Sequence, residues 1–207
     1  MAQSESFELR RICVFCGSHS GANPAFKAAA IELGEQMAAR GLGLVYGGGN
    51  VGLMGAAADA VMASGGEVIG VIPRSLRDRE VAHRGITELV VVETMHERKR
   101  LMYGRAEAVV ALPGGIGTFD ELFESLTWNQ LGIHQKPAAL LNVAGYFDPL
   151  IAMLDRAVDN GFVGALHREF LLVESRVDAL LDALVAYQPP GEDAWVRPAE
   201  VPPDARK

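Results

Sequence analysis

Short, continuously apolar runs alternate with longer amphipathic stretches along almost the whole chain. The apolar runs predict strands, and the stretches between them predict helices, because apolar residues recur there every three or four positions. The predicted strands are residues 12–16, 42–46, 67–72, 88–92, 108–112, 138–141 and 170–173. The predicted helices are residues 24–40, 53–64, 95–104, 118–131, 149–160 and 177–187. Apolar strands that alternate with helices are typical of a parallel sheet covered by helices on both faces, so we predict an α/β fold.

The alternation runs without a linker or an internal repeat from residue 10 to residue 187. A chain of this length can enclose a sizeable core in one domain, so we predict a single α/β domain over residues 10–187. We expect the polar residues 1–9 to form a flexible N-terminus and the proline-rich, charged residues 188–207 to form a loose C-terminal tail. Residues 75–85 are polar and lack periodicity, and are predicted to form a loop.

The net charge of the chain limits the classes of molecule that it is expected to bind. A net charge of −7 without a large basic block argues against nucleic acid and anionic membranes, but not against a small phosphorylated ligand. No apolar run is long enough to span a bilayer, and residues 1–8 lack the pattern of a signal peptide, so we expect a cytoplasmic protein. The five histidines show no metal-binding spacing. We expect no metal and no cofactor.

Cys13 and Cys16 form a C-x-x-C pair. In redox proteins this pair stands at the start of a helix that follows a strand. Here both cysteines lie within a predicted strand, where residues three apart point to opposite faces. We therefore interpret them as two small buried residues.

The loop after the predicted strand 108–112 is the most informative glycine-rich segment. Ligands of parallel sheets bind beyond the carboxyl ends of the strands. Glycines let the backbone approach a ligand, and a helix beginning at about Thr118 would offer unpaired N–H groups and the positive end of its dipole. A tight turn that only joins strand to helix is the alternative, but it does not need three glycines and a threonine. We therefore predict a phosphate site on Pro113-Gly114-Gly115-Ile116-Gly117-Thr118.

A second glycine-rich loop follows the predicted strand 42–46. Its letters, Gly47-Gly48-Gly49-Asn50-Val51-Gly52, match the G-x-G-x-x-G pattern of dinucleotide-binding proteins. An acidic residue about twenty positions further on is expected for NAD, but the next strand ends in Val71-Ile72-Pro73. Neither loop ends in the Lys-Ser or Lys-Thr of a P-loop. We interpret loop 47–52 as close backbone packing at a wall of the same pocket.

An acidic residue stands near the predicted phosphate site. Glu121 follows Thr118 by three residues, which places its carboxylate near the same helix mouth. One interpretation is a carboxylate close to a bound phosphosugar. The other is an ordinary acidic residue that favours a helix N-terminus, with Asp120 and Glu124 as similar neighbours.

A basic residue stands at the carboxyl end of another predicted strand. Arg98 shares a partly apolar helical face with Met95 and Met102, which suggests a ligand or an ion pair. A solvated basic face is the alternative, and it fits Arg100. His96 has the chemistry of a general base, but a surface histidine is the commoner case.

These segments together resemble a known family. Residues 113–121 look like the P-G-G-x-G-T-x-x-E motif of the Lonely Guy family, whose members are cytokinin riboside 5′-monophosphate phosphoribohydrolases long mislabelled lysine decarboxylases. Arg98-Lys99 matches the paired basic residues upstream of that motif, and residues 16–18, 45–49 and 52–55 are also similar. The resemblance covers residues 10–187.

The resemblance implies a Rossmann-like fold, a homodimer with sites near the subunit interface, and Arg98 and Glu121 as the catalytic pair. The implied reaction is hydrolysis of the N-glycosidic bond of a nucleoside 5′-monophosphate, to free base and ribose 5-phosphate. Together with the phosphate loop, the predicted binding residues are Glu80, Arg98, Lys99, Gly114, Gly115, Ile116, Gly117, Thr118, Phe119, Asp120, Glu121 and Thr127. For Glu80 and Thr127 the alternative is ordinary surface polarity.

Two other functions stay open on the residues alone. A PLP-dependent lysine decarboxylase needs a lysine for its Schiff base. Lys99 lies beside Arg98, and the sequence around it shows no pattern for binding that cofactor. A non-catalytic carrier of a nucleotide or phosphorylated cofactor would bind phosphate on residues 114–118 but would need neither Arg98 nor Glu121. The presence of both residues favours the enzyme. The sequence does not choose between AMP and an N6-prenylated adenine nucleotide.

Overall fold

The sheet of this protein is parallel throughout. The computed structural model describes residues 8–77 and 82–188, and within them seven strands pair in the order β4-β3-β2-β1-β5-β6-β7. The strands are β1 (Arg11–Phe15), β2 (Gly43–Tyr46), β3 (Val68–Pro73), β4 (Glu88–Val92), β5 (Ala108–Ala111), β6 (Ala138–Leu141) and β7 (Leu171–Glu174). The prediction of a parallel sheet is confirmed, with each strand end within about one residue of its predicted position.

Helices cover both faces of the sheet. They are α1 (Pro24–Ala39), α2 (Gly52–Ala63), α3 (Arg74–Arg77), α4 (Met95–Gly104), α5 (Ile116–Gln130), α6 (Asp148–Asp159), α7 (Ala165–Glu169) and α8 (Val177–Ala186). The apolar sides of α1, α2 and α8 pack on one face, and those of α4, α5 and α6 pack on the other. The predicted single-domain α/β fold is confirmed.

Three short elements were not predicted. The helix α3 overlaps the segment 75–85, so the prediction that this segment is only a loop was wrong at its start. The helix α7 and a 3₁₀ turn at Val143–Gly145 were also missed. Each has five residues or fewer, too few to show a helical period. The helix α5 begins at Ile116, two residues before the predicted Thr118.

Parts of the sequence lie outside the described ranges. These are residues 1–7, 78–81 and 189–207. They include Glu80, most of the predicted N-terminal segment 1–9 and almost all of the predicted tail 188–207, so those three expectations stay predictions. Within the described ranges, no helix combines the length and the apolar character that a membrane span requires.

The strand order changes direction between β1 and β5. The chain adds β2, β3 and β4 on one side of β1, and then β5, β6 and β7 on the other. The loops that follow β1 and β5 lead to helices on opposite faces, which leaves a crevice at the carboxyl ends of these strands. Gly17 N donates to Pro113 O across this crevice, at 3.0 Å. The predicted phosphate loop therefore lies at the position where open parallel sheets bind their ligands.

Candidate active site

The N-terminus of α5 is open to a ligand. Gly115 is its N-cap residue and offers no side chain to cap the helix. The N–H groups of the first turn, residues 116–118, therefore lack partners within the helix. A Cβ placed on Gly115 or on Gly117 would meet no atom within 4 Å among the described residues. Unpaired donors, the positive end of the helix dipole and open space are the features that an anion site requires.

Gly114 is required for close packing. A Cβ on Gly114 would lie 2.1 Å from Thr118 Oγ1 and 2.9 Å from Gly17 N. Thr118 is only 3% exposed, so its hydroxyl lies beneath the loop and supports Gly114. The glycines of this motif thus have two functions: Gly114 permits packing, and its neighbours leave space for a ligand.

A cavity of about 280 Å³ adjoins the phosphate loop on the side of α1. Residues 17–21 and 113–115 line it, together with Phe26, Leu53 and Tyr146. The Tyr146 hydroxyl donates a hydrogen bond to Gly114 O. The loop is therefore accessible from this cavity, and the Tyr146 hydroxyl, which lines the same cavity, bonds one of the loop carbonyls.

Arg98 is anchored to the backbone at the ends of two strands. Its Nε donates to Val71 O at 3.1 Å, and its Nη2 donates to Gly47 O at 3.2 Å. The residue is 6% exposed. Its Nη1 faces α5 and lies 3.8 Å from Glu121 Oε1. Arg98 therefore forms the ion pair that its helical face suggested.

The second glycine loop packs directly on Arg98. A Cβ on Gly47 would lie 2.1 Å from Arg98 Nη2, so only glycine leaves room for the guanidinium. Gly52 has φ +64°, and a Cβ there would lie 2.3 Å from the Ser18 carbonyl carbon. The interpretation of loop 47–52 as close backbone packing is confirmed.

Glu121 faces Arg98 from the second turn of α5. The residue is 9% exposed, and its backbone carbonyl accepts a hydrogen bond from the Tyr103 hydroxyl on α4. Opposite charges at this separation and with so little solvent attract each other more strongly than at a surface. The structure thus brings together the two residues that the family resemblance implies as a catalytic pair, at the mouth of α5.

Cys13 and Cys16 are free, buried thiols. They belong to apolar clusters on opposite faces of the sheet, as predicted. Burial, followed by the negative charge of Glu121, raises the pKa of both thiols. Both therefore stay protonated, and the interpretation as small buried residues is confirmed.

Lys99, on α4, forms salt bridges to two carboxylates of α5. Its Nζ lies 3.2 Å from Asp120 Oδ2 and 3.0 Å from Glu124 Oε1. Burial favours the neutral amine, but hydrogen bonds to Glu124 and Asp120 outweigh it, so the pKa of Lys99 is raised. The ammonium stays charged beside the Arg98–Glu121 pair.

Thr127 does not lie at the N-terminus of α5. It follows Thr118 by nine residues, about 14 Å along the helix axis. Its Oγ1 donates to Phe123 O at 2.7 Å. It lines a separate cavity of about 110 Å³ between α5, α6 and α7. The structure does not bring Thr127 and the phosphate loop together within one chain.

The other predicted contacts differ in exposure. Ile116 is 83% exposed, and Phe119 packs partly buried against the apolar cluster beneath α5. Asp120 is exposed and bonded to Lys99. His96 is exposed as well.

Within the described ranges, no three His, Cys, Asp or Glu side chains lie close enough to hold a metal ion.

Two tyrosines that contact the motif were missed by the sequence analysis. Tyr103 and Tyr146 donate to the backbone carbonyls of Glu121 and Gly114. Tyr103 lies on the apolar face of a helix, which is typical of a core residue, and Tyr146 lies in a turn far along the sequence. The only signal available was that a buried tyrosine hydroxyl usually needs a partner.

Comparison with known proteins identifies the family. The family model described as possible lysine decarboxylase matches residues 54–184. The cytokinin riboside 5′-monophosphate phosphoribohydrolase LOG2 of Arabidopsis thaliana is 49% identical over 185 residues, which cover 89% of this chain and 87% of that protein. The chain belongs to the Lonely Guy family. A probable Lonely Guy phosphoribohydrolase of Oryza sativa subsp. japonica, LOGL9, is also 49% identical over 181 residues, 87% of this chain and 80% of that protein.

The Lonely Guy chain also resembles solved structures at lower identity. The molybdenum cofactor binding protein from Rippkaea orientalis matches with a TM-score of 0.65 at 24% identity, over 86% of this chain and 96% of that chain. The molybdenum cofactor carrier protein from Chlamydomonas reinhardtii matches with a TM-score of 0.64 at 22% identity, over 87% and 100%. These likenesses concern the fold alone, and they confirm that it is Rossmann-like.

Proposed function

We propose that this Lonely Guy protein hydrolyses the N-glycosidic bond of a nucleoside 5′-monophosphate. The products are the free base and ribose 5-phosphate. The observation that carries the proposal is the buried Arg98–Glu121 pair beside an uncapped helix N-terminus. Relatives with 49% identity are named cytokinin riboside 5′-monophosphate phosphoribohydrolases. We propose a cytokinin riboside 5′-monophosphate, AMP or both as substrates, since these nucleotides share the ribose 5-phosphate that the site would bind.

The phosphate would bind the N–H groups at the start of α5. Gly117 and Glu121 are four residues apart, about 6 Å along the helix axis, a span comparable with that of a ribose. A phosphate on the first turn therefore places the sugar beside the Glu121 carboxylate. Binding energy from the phosphate would be used to orient C1′, so a free nucleoside should react poorly.

The reaction would pass through a sugar cation. Cleavage at C1′ develops oxocarbenium character, as in glycoside hydrolysis. We assign the stabilisation of this positive charge to Glu121, which is only 9% exposed. Water adds to C1′ as the bond to the base breaks, and the proton that water loses balances the one that the base gains. Arg98, held by two carbonyls, keeps the carboxylate in place and presents its charge to the nucleotide.

Further nucleotide contacts are proposed from the family resemblance. Glu80 and Lys99 would contact the substrate beside residues 115–121. Thr127 would do so from the other end of α5, where it lies about 14 Å from Thr118. That separation favours a contact with a nucleotide bound to a second copy of the chain.

A non-catalytic carrier is the weaker alternative. Such a carrier would use the open helix N-terminus but would gain nothing from two buried charges, whose desolvation is costly. Incubation of the purified protein with AMP or a cytokinin riboside 5′-monophosphate separates the two functions. Chromatographic detection of free base and ribose 5-phosphate in equal amounts supports the hydrolase, whereas bound and intact nucleotide supports the carrier.

The role of Glu121 is tested by Glu121→Gln. We expect kcat to fall by at least about 100-fold, or 2.7 kcal/mol of barrier, while the Kd for AMP changes little, because the amide keeps the shape and loses the charge. Glu35→Gln, at an exposed position of α1 on the other face of the sheet, is the matched control and should keep full activity. Turnover of Glu121→Gln within about tenfold of wild type would remove the carboxylate from the mechanism.

We also propose a cytoplasmic homodimer. Two free buried thiols suit a reducing compartment. Large apolar side chains are exposed around α5, α6 and α7, namely Phe123, Leu131, Ile133, Met153, Phe162 and Leu166. A second copy would cover this surface and bring Thr127 near the partner's site. Sedimentation should give twice the chain mass, and Phe162→Glu should shift it towards the monomer; a monomeric wild type at micromolar concentration would contradict the dimer.

A further inference from the structure

The turn after β6 has an unusual backbone. Ala144 has φ 52° and ψ 31°, and Gly145 has φ 70°. A non-glycine residue in the left-handed region is uncommon and is retained only when its surroundings fix it. Asn142 fixes this turn, because its Oδ1 accepts from Phe147 N at 2.8 Å and its Nδ2 donates to Asp148 Oδ1 at 2.7 Å.

The turn directs Tyr146 onto the phosphate loop. The Tyr146 ring packs edge-on against Phe26 and Phe147, with ring centroids 5.5 Å and 5.0 Å apart. Its hydroxyl donates to Gly114 O. Packing on two sides leaves the hydroxyl little freedom to choose another partner.

This hydrogen bond fixes the direction of one N–H group. The C=O of Gly114 and the N–H of Gly115 belong to one planar trans peptide, so they point in opposite directions. With the carbonyl turned towards Tyr146, the N–H of Gly115 points away from that side chain. Open space for a ligand lies beside Gly115, because a Cβ there would meet no described atom within 4 Å. A flipped peptide would instead present a carbonyl oxygen to an anion, and the two would repel each other.

We propose that Tyr146 is a positioning residue that holds the Gly114–Gly115 peptide in the orientation that binds the 5′-phosphate. The proposal rests on the proposed function and extends it to a residue outside the motif. In this proposal Tyr146 acts through the Gly114–Gly115 peptide, whose N–H would bind the phosphate.

A second tyrosine acts on the other end of the motif through an independent contact. Tyr103 is 3% exposed, and its ring packs edge-on against Phe15 at 5.7 Å and tilted against Trp128 at 4.8 Å. Its hydroxyl donates to the backbone carbonyl of Glu121. We infer that Tyr103 positions the Glu121 carboxylate relative to Arg98, since it lies on the same helix as Arg98.

Burial raises the pKa of Tyr103, and the nearby negative charges add to the effect. Its hydroxyl therefore stays protonated, and able to donate, at neutral pH. Two tyrosines thus hold the two functional parts of one motif, the phosphate turn and the carboxylate.

The variants Tyr146→Phe and Tyr103→Phe test these positions and serve as controls for each other, since each removes one hydroxyl and keeps the ring. For Tyr146→Phe we expect the Kd for ribose 5-phosphate, measured by calorimetry, and the KM for AMP to rise about tenfold, with kcat within about threefold of wild type. For Tyr103→Phe we expect kcat to fall about tenfold, with the Kd for ribose 5-phosphate unchanged.

An unchanged Kd in Tyr146→Phe, or an unchanged kcat in Tyr103→Phe, would overturn the corresponding assignment. Equal losses of kcat and Kd in both variants, together with a lower Tm, would show a merely structural role. If a variant does not fold, a structure of the wild type with ribose 5-phosphate decides for Tyr146, since the proposal requires Gly115 N within hydrogen-bond distance of a phosphate oxygen. Wild-type protein that binds ribose 5-phosphate but releases no base would contradict the proposed function and leave the Tyr146 assignment standing.

Discussion

The site is built, at the scale of single residues, from charges that solvent barely reaches. Arg98 and Lys99 are adjacent on α4, both are less than 10% exposed, and each faces a carboxylate of α5. Removing a charge from water is costly, and a buried ion pair is often no more stable than apolar residues of similar size. This cost is the reason why we propose a role in binding and catalysis, rather than in stability, for two such pairs beside an open helix N-terminus.

Part of this arrangement of charged residues was predicted from the sequence. Helical spacing placed Glu121 near the N-terminus of α5, and the partly apolar face of α4 suggested a ligand or an ion pair for Arg98. The two hydrogen-bond acceptors that hold Arg98 could not be predicted from the sequence. Val71 and Gly47 are 27 and 51 residues away, and each contributes only its backbone carbonyl. A backbone carbonyl is present at every residue, so the sequence does not show which two carbonyls accept from Arg98.

The three nitrogens of the Arg98 guanidinium have three different partners, so replacement of Arg98 by lysine should impair the site. Arg98→Lys keeps the charge, but one ammonium cannot bond both carbonyls and still face Glu121. We expect kcat/KM to fall at least about 30-fold, or 2 kcal/mol, in a steady-state assay of base release. Arg100→Lys, at an exposed position of the same helix, is the control and should stay within about twofold of wild type. Equal activity of the two variants would mean that only the charge of Arg98 matters.

The proposed phosphate binding depends on one element, the helix α5. Its N-terminus was predicted from glycines that precede an amphipathic stretch, and the structure begins the helix two residues earlier, at Ile116. The sequence could not tell which glycine serves packing and which leaves space, because that difference depends on Gly17 and Thr118, which approach Gly114 only in the folded chain. The helices α3 and α7 escaped prediction because they are too short to show a period.

The two kinds of glycine predict opposite responses to the same substitution. Gly114→Ala drives a Cβ to 2.1 Å from Thr118 Oγ1, so the loop must shift, at a cost of about 2 kcal/mol. We expect the Tm to fall by roughly 4–8 °C. Gly117→Ala meets no atom and adds a better helix former, so its Tm should be unchanged or slightly higher. Thermal unfolding followed by circular dichroism measures both, and a Gly114→Ala variant as stable as Gly117→Ala would contradict the packing argument.

The order of the strands creates the site at the scale of the whole molecule. Alternation of apolar runs and helical patterns predicted the parallel sheet and both helical layers, because strands buried on both faces must be apolar throughout. The order β4-β3-β2-β1-β5-β6-β7 was not predicted, since strands of equal apolar character do not reveal their neighbours. Only this order sets the loops after β1 and β5 side by side and opens the crevice between them.

The stability of the whole molecule should depend on His134, which lies between α5 and β6. Burial, and then the ammonium of Lys136, lowers the pKa of His134 from 6.5 to about 4. The unfolded chain binds a proton at a higher pH than the folded chain does, so the stability from a neutral His134 is complete above pH 6.5 and is lost as the pH falls towards 4. The imidazole is only half-buried, so we expect a loss of about 1.5 kcal/mol. That loss corresponds to roughly 3–6 °C in Tm.

The comparison of His134→Phe with wild type isolates this contribution, because phenylalanine keeps an aromatic ring beside Trp128 and cannot take up a proton. Thermal unfolding should be followed at pH 7.5, where the imidazole is neutral in both states, and at pH 6, 5 and 4.5, where the two states differ in protonation. The decline of Tm over this series should be shallower for this variant. His96→Phe, which removes an exposed histidine, should decline in parallel with wild type. If His134→Phe loses as much stability on acidification as His96→Phe does, the imidazole must already be solvated in the folded chain, and the acid sensitivity of the protein would then come from its carboxylates.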